Sequence, residues 1–241
     1  APPTPPAEHP PAIEPATPAG TTRVAAVPSP PAATADRADA QQATPVRSPP
    51  SADATARSAL RRGLEARRRG DVATAEASLR QALGLAPELG EARLALAGLL
   101  VDLRRGGEAA RLLDEGLALA PDAADQARLR ARLHLEQDEP RAAATLLRAT
   151  LPPLAANPEH HALLAAADQR QGDHDAAAAR YRDLLALRPG TGPWLIGLAI
   201  SLERLGEAAP AAVAYRDALG DPQLAAALRR YAGDRLRALG G

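Results

Sequence analysis

The side chains in this sequence best suited to acid–base work or metal ligation are its five histidines, His9, His134, His160, His161 and His174. Only His160-His161 and Asp173-His174-Asp175 group such ligands closely. Neighbours on a helix project about 100° apart, so His160 and His161 cannot readily share one ion. The plainer expectation is that they are solvated residues at a helix start and a turn. The paired carboxylates Asp138-Glu139 fall at a predicted turn and read as helix caps. Cysteine is absent, which excludes a thiol nucleophile, a thiolate zinc site and a disulfide scaffold. No glycine-rich phosphate loop, nucleophile elbow or zinc-protease helix motif occurs. The expectation is a protein with no catalytic residues, no metal and no cofactor.

Chemistry of another kind, the binding of a partner, needs elements that present a surface. Of the 241 residues 46% are hydrophobic, and 61 Ala with 36 Leu supply most of them. Aromatics are 2%, Phe and Met are absent, and all 29 basic residues are Arg. Few β-branched and aromatic residues argue against a β-sandwich or barrel. Ala, Leu, Arg and Glu favour helix, so the ordered part is expected to be all-α. The 29 bases balance 29 acids, so no basic excess points to nucleic acid. No apolar run approaches the ~20 residues of a membrane span; the longest, residues 194–202, contains Gly197 and Ser201. The chain begins at Ala1 rather than Met. It is expected to be a processed product or fragment whose signal or anchor lay upstream.

Proline divides the chain. Fourteen of its 24 prolines lie in the first 50 residues, with five Pro-Pro pairs, while Ile13, Val24, Val27 and Val46 stand alone. Such a segment cannot offset its ordering entropy by burial. Residues 1–52 are expected to be a disordered Pro/Ala-rich linker of polyproline II character, acting as a spacer. The alternative is a Pro-x-x-Pro ligand for a recognition domain.

From residue 53 the sequence repeats every 34 residues. Ala75, Ala109, Ala143, Ala177 and Ala211 lie on one register. Gly63, Ala97, Ala131, Ala165 and Ala199 lie on a second, and Leu79, Leu113, Leu147, Tyr181 and Tyr215 on a third. Small residues let helix backbones approach at a crossing, and the large one fills the space between repeats. Gly70-Asp71, Gly172-Asp173 and Gly206-Glu207 read as helix–helix turns. Pro87, Pro121 and Pro189 close repeats. This period and pattern resemble the tetratricopeptide repeat (TPR) family, which implies two antiparallel helices per repeat. The expected fold is a TPR solenoid of five repeats over 53–222 and a C-terminal capping helix over 223–241. Asp221 is its expected N-cap and Pro222 its first turn. Repeat three is irregular, because Ala155 replaces the closing Pro and Leu151-Pro152-Pro153-Leu154 interrupts its second helix.

A narrower resemblance rests on the C-terminal residues. Trp194 precedes Gly-Leu-Ala-x-x-Leu-Glu at 197–203, Tyr-Arg-x-Ala-Leu follows at 215–219, and a Leu-rich helix comes last. This is similar to the TPR proteins of mannose-sensitive haemagglutinin (MSHA) pilus biogenesis, a branch of the type IV pilus systems. The resemblance implies a periplasmic domain, anchored in the inner membrane by a helix upstream of Ala1, whose partners are pilus-assembly proteins. An adaptor of another envelope process, such as polysaccharide export or cytochrome maturation, stays open, as does a cytoplasmic regulatory adaptor.

In a TPR superhelix the first helices line the concave wall. On the grid above, the partner-binding candidates are Arg57, Arg67, Arg68, Arg128, Arg132, Gln169, Arg170, Ile196, Ile200 and Arg204, with Leu94 and Val101 beside them. Forked guanidiniums suit carboxylates on a partner peptide. An ordinary solvated face is the competing expectation. Trp194 is expected in the core against repeat four. Asn157, the chain's only Asn, lies off this face, so an Asn clamp for a terminal carboxylate is not expected.

Overall fold

The structure is a computed structural model that describes residues 51–240. The linker expected over 1–52 lies outside the described residues, except for Ser51 and Ala52. Among the described residues there are eleven α-helices and no strand. The first six are α1 (Ala52–Arg68), α2 (Val72–Leu85), α3 (Gly90–Asp102), α4 (Gly106–Leu119), α5 (Ala124–Glu136) and α6 (Pro140–Ala149). They are followed by α7 (Pro158–Gln171), α8 (His174–Leu187), α9 (Gly192–Arg204), α10 (Ala208–Leu219) and α11 (Ala226–Ala238). Successive helices pack on one another, and α1, α3, α5, α7 and α9 also touch in sequence along one side. The even helices have no such row among the described residues, so the odd helices form the inner wall of a solenoid. This is the all-α TPR architecture that the period implied.

Short polar side chains start several helices. Ser51 Oγ accepts from the Ala54 amide at 3.2 Å, Asp71 from Thr74 at 3.1 Å, and Asp173 from Ala176 at 3.2 Å. The turn inside each repeat needs a left-handed residue, supplied by Gly70, Gly172 and Gly206 at φ of 76°, 90° and 82°. At the same grid position in repeats two and three stand Arg104 at φ 62° and Asp138 at φ 60°. The turn geometry is thus kept where the sequence lacks its glycine, with a Cβ crowding the backbone.

The three registers meet as their sizes dictate. Ala75, Ala109, Ala143, Ala177 and Ala211 have no exposed surface, and Leu79, Leu113, Leu147 and Tyr215 are also fully buried. A Cβ on Gly63 would stand 2.8 Å from Leu79 Cγ, so α1 and α2 approach as closely as their side chains permit. Each buried Leu of this kind contributes on the order of 1.5–3 kcal/mol. Trp194 joins Tyr181, Leu184 and Ala165 in the core against repeat four, with the Arg188 guanidinium 4.7 Å from its ring.

Three local expectations change. The last helix begins at Ala226 rather than after Asp221. The Asp221 carboxylate is drawn to the Gly192 amide at 2.9 Å and the Gln223 amide at 2.8 Å, so Pro222 lies in a turn. Glu139 occupies the N-cap of α6 without capping it; its carboxylate pairs with His134 Nδ1 at 2.6 Å. His160 is fully buried rather than solvated. The irregularity of repeat three is a shortened α6 of 10 residues, against 14 in α2, α4 and α8.

Candidate functional site

The odd-helix wall is built by the face of α1, α3, α5, α7 and α9 that the even helices leave uncovered. Arg57, Arg67, Arg68, Arg132, Arg170 and Arg204 are exposed, and Arg128 is half-buried. Geometry sorts them by what they already hold. Arg67 crosses to Asp102 on α3 at 2.8 Å, and Arg128 donates to Asp125 at 3.0 Å. Such exposed pairs contribute no more than about 1 kcal/mol and can exchange for a partner's carboxylate. Arg170 is committed differently. Its guanidinium donates to the Leu135 carbonyl at 2.7 Å and to Asp138 at 3.0 Å, closing the end of α5. Among the described residues Arg57, Arg68, Arg132 and Arg204 form no ion pair with a neighbour, and neither do the wall acids Glu91 and Glu136.

Two expected contacts face the protein itself. The Gln169 amide nitrogen donates to the Gly197 carbonyl at 2.7 Å and to Ser201 Oγ at 2.8 Å, while its oxygen accepts from the Tyr181 hydroxyl at 3.2 Å. It therefore ties α7 to α8 and α9, and burial there pushes the Tyr181 phenol up. Ile196 is 4% exposed and belongs to the core shared by α9, α10 and α11. Ile200 is partly buried against the same core. Repeat five thus offers the wall Arg204 and part of Ile200.

The wall is hollowed between α3 and α5. A cleft of about 230 Å³ there is lined by Leu94, Gly98, Asp125, Arg128, Leu129 and Arg132. A neighbouring cleft of about 260 Å³ shares Leu94 and Asp125 and extends toward Glu91. Leucines form the apolar part, and Arg128 and Arg132 stand at one side. The Arg128 Nε is buried without a hydrogen-bond partner. Gly98 and Leu129 were not apparent as wall residues. The available signal was the column Leu64, Gly98, Arg132, Ala166 and Ile200, where one position lacks a side chain and so opens a notch. Other openings are one of about 600 Å³ at the α5–α6 turn, which borders the wall at Arg170, and one of about 450 Å³ on α11.

Near the cleft, Arg188 donates to Glu159 at 2.8 Å and holds that carboxyl below its ordinary range, against a smaller opposing effect of burial. Among the described residues no three His, Asp or Glu side chains converge as a metal set. The arrangement can bind an extended or helical segment carrying apolar side chains and carboxylates.

A helical solenoid with a 34-residue period and an open inner wall defines a class of interaction scaffold, and the sequence comparison agrees with it. The tetratricopeptide repeat family profile matches residues 66–133. No curated protein matches the chain. Among solved structures, the chain is similar to MamA protein, with 21% identity and a TM-score of 0.60 over 71% of this chain and 97% of that one. It is similar to PilW, titled a widely conserved type IV pilus biogenesis factor, with 21% identity and a TM-score of 0.64 over 77% and 86%. The Pseudomonas aeruginosa pilF structure shares 18% identity, with a TM-score of 0.64 over 78% and 90%. At these identities the likeness is one of fold.

Proposed function

We propose that this chain is a docking scaffold for pilus assembly in the bacterial envelope. In this reading its α3–α5 cleft takes a carboxylate-bearing segment of a partner protein. The observation that carries the binding reading is the cleft itself. Leu94 and Leu129 supply apolar surface, Gly98 leaves room, and Arg128 and Arg132 supply forked donors beside them. The pilus assignment rests on the C-terminal residues, which resemble the MSHA biogenesis protein MshN, and draws support from fold likeness to PilW and pilF. In this reading the domain is periplasmic, and the proline-rich residues before α1 space it from an inner-membrane anchor.

The test uses Arg128→Glu with Arg132→Glu. Reversing two charges at one edge of the cleft should weaken capture of type IV pilus assembly proteins from envelope extracts by about ten-fold or more, with helical circular dichroism unchanged. Unchanged capture rejects the cleft. Recovery of polysaccharide-synthesis components alone rejects the pilus assignment while leaving a scaffold in place.

A further inference from the structure

The joint between α6 and α7 is held by polar groups that the binding reading does not use. After the shortened α6, residues 150–157 cross to α7 through Pro152 and Pro153. Two imidazoles fasten this crossing at both ends. His160 Nε2 lies 2.9 Å from the Leu147 carbonyl, in the last turn of α6, and His161 Nε2 lies 2.8 Å from the Pro152 carbonyl. A carbonyl can only accept, so each Nε2 carries the hydrogen and donates. His160 Nδ1 is then the unprotonated nitrogen, buried with no hydrogen-bond partner. Asn157 caps α7 by accepting from the His160 amide at 3.2 Å, and its amide reaches Asp125 at 3.3 Å. Asp125 also accepts from Arg128, so the joint is wired to the cleft.

We propose that this joint is a proton-operated hinge: uptake of a proton at His160 Nδ1 frees the end of α6 from α7, loosens residues 147–161 and resets Arg128 on the inner wall. The reason is the surroundings of that nitrogen. A second N–H there would be buried beside the Ala124 carbonyl of α5, which favours the charged ring, although Nδ1 forms no hydrogen bond to it. From α5 it faces the Arg128 guanidinium, and along α7 it faces His161; both oppose a further positive charge. The nearby carboxylates are already engaged. Asp125 holds Arg128 and Asn157, Glu159 holds Arg188, and the fully buried Asp168 is shared by Arg148, Arg180 and Gln171.

Burial, with these like charges adding to it, holds the closed-joint imidazole below its ordinary range, outweighing the carbonyls that favour the charged form. In an opened joint the ring is solvated and titrates near about 6.5. The open form therefore gains relative to the closed form as pH falls from about 7.5 to about 5.5, by at most about ten-fold.

Hydrogen exchange on the whole chain without any partner tests this, so a failed hinge is distinguishable from a failed docking reading. After correction for intrinsic exchange, protection of amides in 147–161 is expected to fall over that pH range, by up to about ten-fold, while α1–α4 stay protected. In His160→Gln, which keeps a donor for the Leu147 carbonyl and cannot be protonated, the pH dependence of this segment should vanish. A pH-independent wild type, an equal loss over α1–α4, or the same pH-dependent loss in His160→Gln overturns the hinge. Should that variant not fold, NMR titration of the wild-type rings decides, and a His160 that titrates at its ordinary value without local opening overturns it.

Discussion

Gln169 stands one residue before Arg170, on the part of α7 that faces the inner wall, and in sequence it looks like a partner contact. In the structure its amide is used up by Gly197, Ser201 and Tyr181. The Tyr181 ring lies against Gly197, where a Cβ would collide with it, so one glycine makes room for the ring and the amide holds its hydroxyl. Gln169→Ala should therefore lower unfolding stability by about 1–3 kcal/mol, because it leaves half-buried partners unpaired. A urea titration reads this, and a midpoint equal to wild type would show that water replaces the amide without cost. The same residues show where sequence reading stops. Periodicity places a side chain on a face; it does not reveal whether the neighbouring helix brings a matching donor or acceptor. Arg93 makes the point from the other side. It sits on the column of Ala59 and Ala127 yet is 4% exposed, because Gly116 leaves space for its stem and Pro87 offers a carbonyl at 2.7 Å.

At the scale of the helix, the 34-residue grid located the elements, since small and large residues at fixed offsets demand a fixed crossing. It also located the turn glycines of repeats one, four and five, while Arg104 and Asp138 hold the same conformation in repeats two and three without glycine. Arg104 takes the left-handed conformation at φ 62° because the packing of α3 against α4 requires it. An L-residue there carries strain of about 1–2 kcal/mol, partly offset by the greater freedom of glycine when unfolded. Arg104→Gly should thus raise stability by about 0.5–1 kcal/mol, seen as a higher melting temperature. A lower one would mean that the Arg104 side chain contributes more than its backbone costs. Helix ends were less legible. Glu139 and Asp221 both have the types and positions of caps, but His134 and the Gly192 amide compete for them from outside the local sequence. The same distance from local pattern hid the burial of His160, whose Leu147 partner lies 13 residues away.

A solenoid's stability is close to a sum over neighbouring repeats, so ion pairs that bridge repeats act on the molecule as a whole. Arg105 is such a bridge. It donates to Glu76 on α2 at 2.8 Å and to both oxygens of Glu108 on α4 at 2.6 and 2.7 Å. Burial alone would raise the Glu76 carboxyl, but Arg105 and Arg80 together hold it below its ordinary range. The Glu108 carboxyl is lowered chiefly by Arg105, Glu159 by Arg188, and Asp71 by its cap bonds to Thr74. A carboxyl lowered in the folded state takes its proton more readily when unfolded. Its stabilisation is therefore complete above the ordinary value of about 4 and is lost as pH falls through the lowered folded values. Asp168 works the other way, since burial raises it against the pull of Arg148 and Arg180. The four lowered groups outnumber it, so the melting temperature should drop steeply below about pH 4, apart from the separate loss as the opened joint takes up a proton at His160. Glu76 is the least exposed partner in the Arg105 bridge, with 16% of its side chain accessible. Screening by water keeps the contribution of this bridge small. Glu76→Gln should accordingly cost about 2–4 °C at neutral pH and much less near about pH 3, where the wild-type carboxyl is itself protonated. An equal loss at both values would mean that packing, and not charge, joins α2 to α4.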